Sequence, residues 1–314
     1  MRYMTFLDLN ELVVQYQNLE KIVIAVDHVS FSLQKNESLG IAGESGCGKS
    51  TLGLAIMNSL QKGTNVTGDI IFEDQSILGM SDKEFTKNIR WKKISMIFQG
   101  AMNSLDPVFT IKKQLEEILK KHDLKGDYKK TIESLLHSVG LPPSILDKYP
   151  HEISGGMKQR VIIAMALILK PKLVIADEPT TALDVLVQAQ IMSLLKNLKK
   201  EGLSIILISH DLGILSEIVE KIAIMYAGQI VEFGDLSEIY TNPKHPYTTA
   251  LLNSVPKLNN SDKIVTLSGN PPSLTNIPSG CRFYDRCPHA MEKCKKDPPK
   301  IKTKSGFVLC WLNE

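Results

Sequence analysis

Residues 38–51 read Ser-Leu-Gly-Ile-Ala-Gly-Glu-Ser-Gly-Cys-Gly-Lys-Ser-Thr, and the reading of this stretch decides the fold. Residues 38–42 form an apolar run of the kind a buried strand needs. Residues 43–50 follow the pattern G-x-x-x-x-G-K-S, so a strand feeds a glycine-rich loop that opens a helix. Gly43, Gly46 and Gly48 allow the loop to turn its amides toward one point, and a helix N-terminus adds unpaired N–H donors there. The product is a phosphate cradle, with Glu44, Ser45 and Cys47 inside it and Thr51 at its exit. Lys49 is placed to reach the β- and γ-phosphates of a nucleotide, and Ser50 to ligate Mg2+.

Further along, residues 173–178 read Leu-Val-Ile-Ala-Asp-Glu. Four apolar residues deliver Asp177 and Glu178 to the carboxyl end of a buried strand, where open α/β sheets bind their ligands. Asp177 suits a Mg2+ ligand acting through water. Glu178 suits a base that orients and deprotonates an attacking water, because phosphoryl transfer asks mainly for positioning and charge neutralisation. Ser154-Gly155-Gly156 opens a helix over residues 157–169 and makes a second anion-binding N-terminus. One nucleotide does not need two phosphate cradles. The second therefore points to a nucleotide held by another subunit, and the working unit to a pair.

Composition sets the bounds. At 314 residues, with 43% hydrophobic and 23% charged residues, the chain has ample length for a large core and one smaller domain beside it. The formal net charge of +3 gives no electrostatic case for nucleic acid. The longest apolar stretch, residues 161–169, is half of the roughly 20 residues a membrane span needs, so membrane contact is expected to run through a partner. Asp8 and Glu11 interrupt the first apolar stretch, which lacks the layout of a signal peptide, and a cytosolic location is expected.

Runs with β character at residues 12–16 and 26–33 predict an antiparallel edge sheet. Strands are expected at 69–72, 94–98, 173–176 and 205–208, and helices at 52–60, 111–121, 185–200 and 212–220. Residues 100–170 read as almost wholly helical, a helical subdomain inserted into a doubly wound α/β core. After about residue 255 the texture turns to prolines and short runs, which predicts a boundary between a domain over residues 1–255 and a loop-rich extension over 256–314.

With these stretches in this order, residues 5–255 resemble the nucleotide-binding subunit of an ABC transporter. Ile153-Ser-Gly-Gly-Met-Lys-Gln159 is similar to that family's signature motif. The resemblance implies a P-loop NTPase core of the RecA-like kind that hydrolyses ATP with Mg2+. It also implies that Ser154, Gly155, Gly156 and Gln159 close over the γ-phosphate bound to the opposite subunit, with Asp184 as the D-loop residue. Gln99 resembles the Q-loop glutamine that senses Mg2+ and the attacking water, and His210 the switch histidine at the γ-phosphate. Tyr16 lies near the place of the aromatic that stacks on adenine. Glu178 and His210 being intact, the resemblance implies an active ATPase.

Cys281, Cys287, Cys294 and Cys310 crowd the last 34 residues, at spacings of six, seven and sixteen. The spacing leaves open tetrahedral zinc, an iron–sulfur cluster and unliganded thiols. The segment around Cys281 and Cys287 is similar to the tail of dipeptide, oligopeptide and nickel importer ATPases, some of which carry a 4Fe–4S cluster, so the resemblance favours that cluster over zinc. It implies an importer of short peptides, with a nickel or metal-chelator importer as the alternative and a soluble relative acting on DNA or ribosomes as a distant one. The implied partners are a second ATPase subunit, a paralogue of this one, two transmembrane permease subunits and an extracytoplasmic substrate-binding protein. The implied place is the cytoplasmic face of the membrane.

Overall fold

Alternating apolar runs and capped helices build the chain into two compact units, Met1–Gly79 with Leu207–Glu314, and Met80–Ile206. The computed structural model describes residues 5–18, 21–122, 126–254 and 269–314. The expected boundary at residue 255 falls outside these.

The first unit begins with β1 (Leu7–Asn18) and β2 (Lys21–Leu33), which pair antiparallel. β3 (Leu39–Ala42) is buried at every residue, as a central parallel strand must be, and leads through the glycine loop into α1 (Lys49–Ile56). β4 (Asn65–Phe72) and β5 (Gln75–Ser76) complete an antiparallel sheet of order β2-β1-β4-β5, the expected edge sheet.

The second unit opens with α2 (Asp82–Asn88), started by a reciprocal capping box between Ser81 and Glu84. β6 (Ile94–Ile97), α3 (Ile111–Lys121), α4 (Tyr128–Ser138), α5 (Gly155–Leu167), β7 (Leu173–Asp177) and α6 (Val185–Lys200) follow. β6 and β7 pair parallel, both wholly buried. The helices α3 to α5 form the expected helical insertion.

β8 (Ser204–Ile208) carries the chain back to the first unit. There α7 (Leu212–Ser216), β9 (Lys221–Tyr226), β10 (Gln229–Asp235), α8 (Leu236–Thr241) and α9 (Pro246–Asn253) precede the extension, which contributes β11 (Lys300–Lys302) and β12 (Phe307–Leu309). β9 pairs parallel with β3, β10 antiparallel with β9, and β12 antiparallel with β10 through Glu232↔Val308 and Phe233↔Phe307. The extension is thus stitched into the first unit's sheet rather than hung beside it. Gly306 makes the stitch possible, because a Cβ there would lie 1.9 Å from the Phe233 carbonyl oxygen.

Candidate functional site

The glycine-rich loop expected to cradle phosphate lies wholly in the first unit. Gly43 has φ +154°, and a Cβ on it would sit 2.1 Å from the Met225 carbonyl oxygen; at Gly48, φ +106°, it would sit 2.1 Å from that of Ala25. β9 and β2 therefore press the loop from behind, and only glycine admits the approach. Lys49 is buried, and its ammonium donates to the carbonyl oxygens of Gly43 at 2.7 Å and Glu44 at 2.9 Å. Ser45 and Gly46 are exposed, Ser50 and Thr51 half-buried, and the Cys47 thiol is buried 3.7 Å from the Lys49 nitrogen, its pKa pushed up by burial. The Tyr16 hydroxyl donates to Thr51 Oγ1 at 3.4 Å, which puts this aromatic beside the helix that leaves the loop. The Ser209 amide donates to the Ile41 carbonyl at 3.2 Å, which fixes the chain against β3 one residue before the exposed His210.

In the second unit the end of β7 presents Asp177, 3% exposed, and then Glu178, which turns outward with φ +45°. The Gln99 amide and the Thr181 hydroxyl both donate to Glu178 Oε2, each at 3.0 Å. Ser154 is the N-cap of α5 and accepts from the Met157 amide at 3.3 Å; it and Gly155 are exposed. Asp184 caps α6 in the same way, accepting from Val187 at 2.9 Å. Gly156 has a packing role that the sequence reading missed, since a Cβ there would stand 2.8 Å from Val187 Cγ1. Gln159, expected at the partner's phosphate, is 3% exposed and packs inside its own chain.

The four clustered cysteines converge in the first unit. Cys281, Cys287, Cys294 and Cys310 line one pocket with His245, Phe283 and Trp311. The Cys281 amide donates to the Cys294 carbonyl at 2.9 Å, and Gly280 permits the approach. Burial pushes the Cys281 thiol up to about 11, with the neighbouring cysteines adding to the effect, so its sulfur is protonated near neutral pH and a metal would have to displace that proton. Burial likewise pushes His245 down to about 3. The geometry does not support the expected 4Fe–4S cluster. The pocket holds about 10 Å³, room for one water-sized sphere. Among the described residues no three His, Cys, Asp or Glu side chains are grouped as a metal ion requires.

Sequence reading also missed how the cysteine segment is anchored. Phe283, 1% exposed, wedges against Tyr226 and Tyr247, and Arg282 donates to Asp27 and to the Ala227 carbonyl. Arg286 forks onto the Glu44 carboxylate at 2.7 and 2.8 Å and reaches the Tyr226 hydroxyl at 3.2 Å. Glu44 in turn donates its amide to the Tyr247 hydroxyl at 2.9 Å.

A P-loop of this geometry, a buried strand ending Asp-Glu and a serine-capped second cradle define an ATPase of the ATP-binding-cassette class. The comparisons agree: the ABC transporter family model matches residues 26–181, and the model for the oligopeptide/dipeptide transporter C-terminal region matches residues 231–294. The chain is 45% identical to an oligopeptide transport ATP-binding protein, OppD, of Haemophilus influenzae, over 98% of this chain and 97% of the relative. It is 44% identical to a dipeptide transport ATP-binding protein, DppD, of Bacillus subtilis, over 98% of this chain and 95% of that one. Among solved structures, the dimeric post-hydrolysis state of the ATP-binding cassette MJ0796 bound to ADP and Pi superposes with a TM-score of 0.65 at 29% identity, over 73% of this chain and 98% of the other. The chain belongs to the oligopeptide and dipeptide branch of the ABC transporter ATP-binding subunits.

Proposed function

We propose that this chain hydrolyses ATP to power the uptake of oligopeptides or dipeptides across the cytoplasmic membrane, as one of two ATPase subunits acting on membrane-spanning permease subunits. The observation that carries the reading is Lys49, seated on the carbonyls of its own glycine loop at the head of a helix. The near full-length likeness to peptide transport ATP-binding proteins supports the substrate class. Among the described residues no helix is long and apolar enough to cross a membrane, which suits a subunit held at the cytoplasmic face by its permeases. A binding protein outside the membrane would deliver the peptide.

In this reading the loop amides and Lys49 bind the phosphates, and Tyr16 offers its ring to adenine. Glu178 accepts the proton of a water whose oxygen bonds to the γ-phosphorus as the bond to the bridging oxygen breaks, and the proton returns to the departing phosphate. Gln99 orients that water and His210 meets the γ-phosphate. Mg2+ would supply charge neutralisation on the phosphates, and the hard oxygen donors that would hold it are the Ser50 hydroxyl in the first unit and, in the second, the Asp177 carboxylate and the side-chain carbonyl of Gln99. Ser154, Gly155 and Asp184, exposed at two helix N-termini, face a nucleotide on the partner. Gln159, being buried, contributes packing behind them.

Two substitutions in the assembled transporter test the reading. Lys49→Ala abolishes ATP binding. Glu178→Gln keeps ATP binding and lowers turnover by about 100-fold or more. Full hydrolysis by the second variant removes Glu178 from the role of base.

For the extension, the resemblance of its sequence and not its geometry carries the reading of a metal group, a 4Fe–4S cluster or a single zinc. Anaerobic purification with iron, sulfide and zinc analysis decides it, since about four irons and four sulfides per chain mark a cluster and one zinc marks a structural clip.

A further inference from the structure

The extension does more than cover the sheet. Its segment 281–287 sends one side chain into the P-loop. The Arg286 guanidinium lies 5% exposed and makes a two-pronged bond to the Glu44 carboxylate, itself 26% exposed, across 242 positions of sequence. Glu44 is the second residue of the loop, and its carbonyl oxygen is one of the two that hold Lys49. Its amide is held by Tyr247. A glutamate at this place sets a negative charge beside the cradle that has to accept a polyanion. Left alone, that charge repels the phosphates. Forked against a guanidinium, it is neutralised and its backbone is fixed in the position that seats Lys49.

We infer that Arg286 is a positioning residue for ATP, acting through Glu44, so that the C-terminal extension is a working part of the nucleotide site. The inference rests on the reading of residues 43–50 as the ATP cradle. It needs no metal at the cysteines.

The test uses the assembled transporter with four variants, Arg286→Gln, Arg286→Lys, Glu44→Gln and the double Arg286→Gln/Glu44→Gln. Each is measured for its KM for ATP, its kcat and its thermal midpoint. Arg286→Gln is expected to raise KM by about ten-fold, with kcat at saturating ATP held within about two-fold. Arg286→Lys keeps the charge but loses the fork, and falls between it and the parent. Glu44→Gln removes the charge that Arg286 neutralises, and its KM is the reference value for the double variant. The double variant recovers toward that value, because the repelling carboxylate is gone. Loss of packing alone would leave the double variant as weak as Arg286→Gln, and that result overturns the inference, as does an unchanged KM in Arg286→Gln. Lys49→Ala is run beside them: normal ATP binding by that variant overturns the reading of the loop itself, independently of Arg286.

Discussion

Gln99 donates its amide to Oε2 of Glu178 at 3.0 Å, and Thr181 donates to the same oxygen at the same distance. Both donors aim the carboxylate that stands just past the end of β7. Gln99→Ala is expected to lower kcat by about 10- to 100-fold while leaving ATP affinity close to the parent, read by steady-state phosphate release and nucleotide binding. Thr181→Ala removes one donor and nothing from the Gln99 position, so it costs less. Equal loss of affinity and turnover in Gln99→Ala would count against an aiming role.

Two glycines of the same loop should behave differently. At Gly43 an added Cβ meets the Met225 carbonyl 2.1 Å away, whereas at Gly46, φ +79°, nothing lies within 4 Å. Gly46→Ala therefore bears only the left-handed backbone penalty of about 1–2 kcal/mol. Gly43→Ala adds a backbone collision, and is expected to lower the thermal midpoint much further and to abolish ATP binding. Comparable midpoints for the two variants would show that β9 yields.

Gly156 and Val187 form a coupled pair. A Cβ at Gly156 stands 2.8 Å from Val187 Cγ1, on the first turn of the helix that Asp184 caps. Gly156→Ala should destabilise by about 1–3 kcal/mol, as overpacking does. Val187→Ala in the same chain should return most of that loss, and a denaturation cycle over the four proteins measures the recovery. Strictly additive effects would rule out the contact as the cause.

His245, held near a pKa of about 3 by burial, stays neutral in the folded chain while an unfolded histidine takes up a proton near pH 6.5. Its folded pKa is depressed, so the unfolded state binds more protons between these values. Stability is intact above pH 6.5 and falls as pH drops toward 3. Between pH 6.5 and pH 5 the loss is about 2 kcal/mol. Glu232, whose carboxyl is pushed up by burial beside the His245 amide, works in the opposite sense above its ordinary range. His245→Asn keeps an acceptor for the Tyr247 amide, now 3.1 Å from Nδ1, and does not titrate. The variant should show a flatter decline in thermal midpoint on acidification than the parent, and parallel curves would remove His245 from the acid response.

Legibility in the sequence tracked the range of the interactions. The helices at 111–121 and 185–200 were readable to the residue because an amphipathic stripe and a capping Thr110 or Asp184 lie within their own span. The P-loop and the strand ending at Asp177 carry their chemistry in a few consecutive residues. α2 was missed although its signal, Ser81 followed by Glu84, was present. The hairpin of β9 and β10 was missed because strands buried at nearly every residue show no alternation to read. The cysteine spacing identified a cluster of thiols but not its volume, which depends on Phe283 and Trp311 closing in from the side. The anchoring of Arg282 and Arg286 left no trace in spacing, since their partners lie 255 and 242 positions away.

The pairing of β12 onto β10 has a consequence for how the protein is made. Synthesis runs from the N-terminus, so the glycine loop emerges more than two hundred residues before the arginine that clasps it. During that interval Glu44 waits unpaired and β10 presents a bare edge carrying Ile230 and Phe233, a surface open to mispairing with other strands. A nascent chain that stops short of Arg286 is therefore the form of this protein most in need of a chaperone, and its glycine loop reaches final shape only after that arginine has been added.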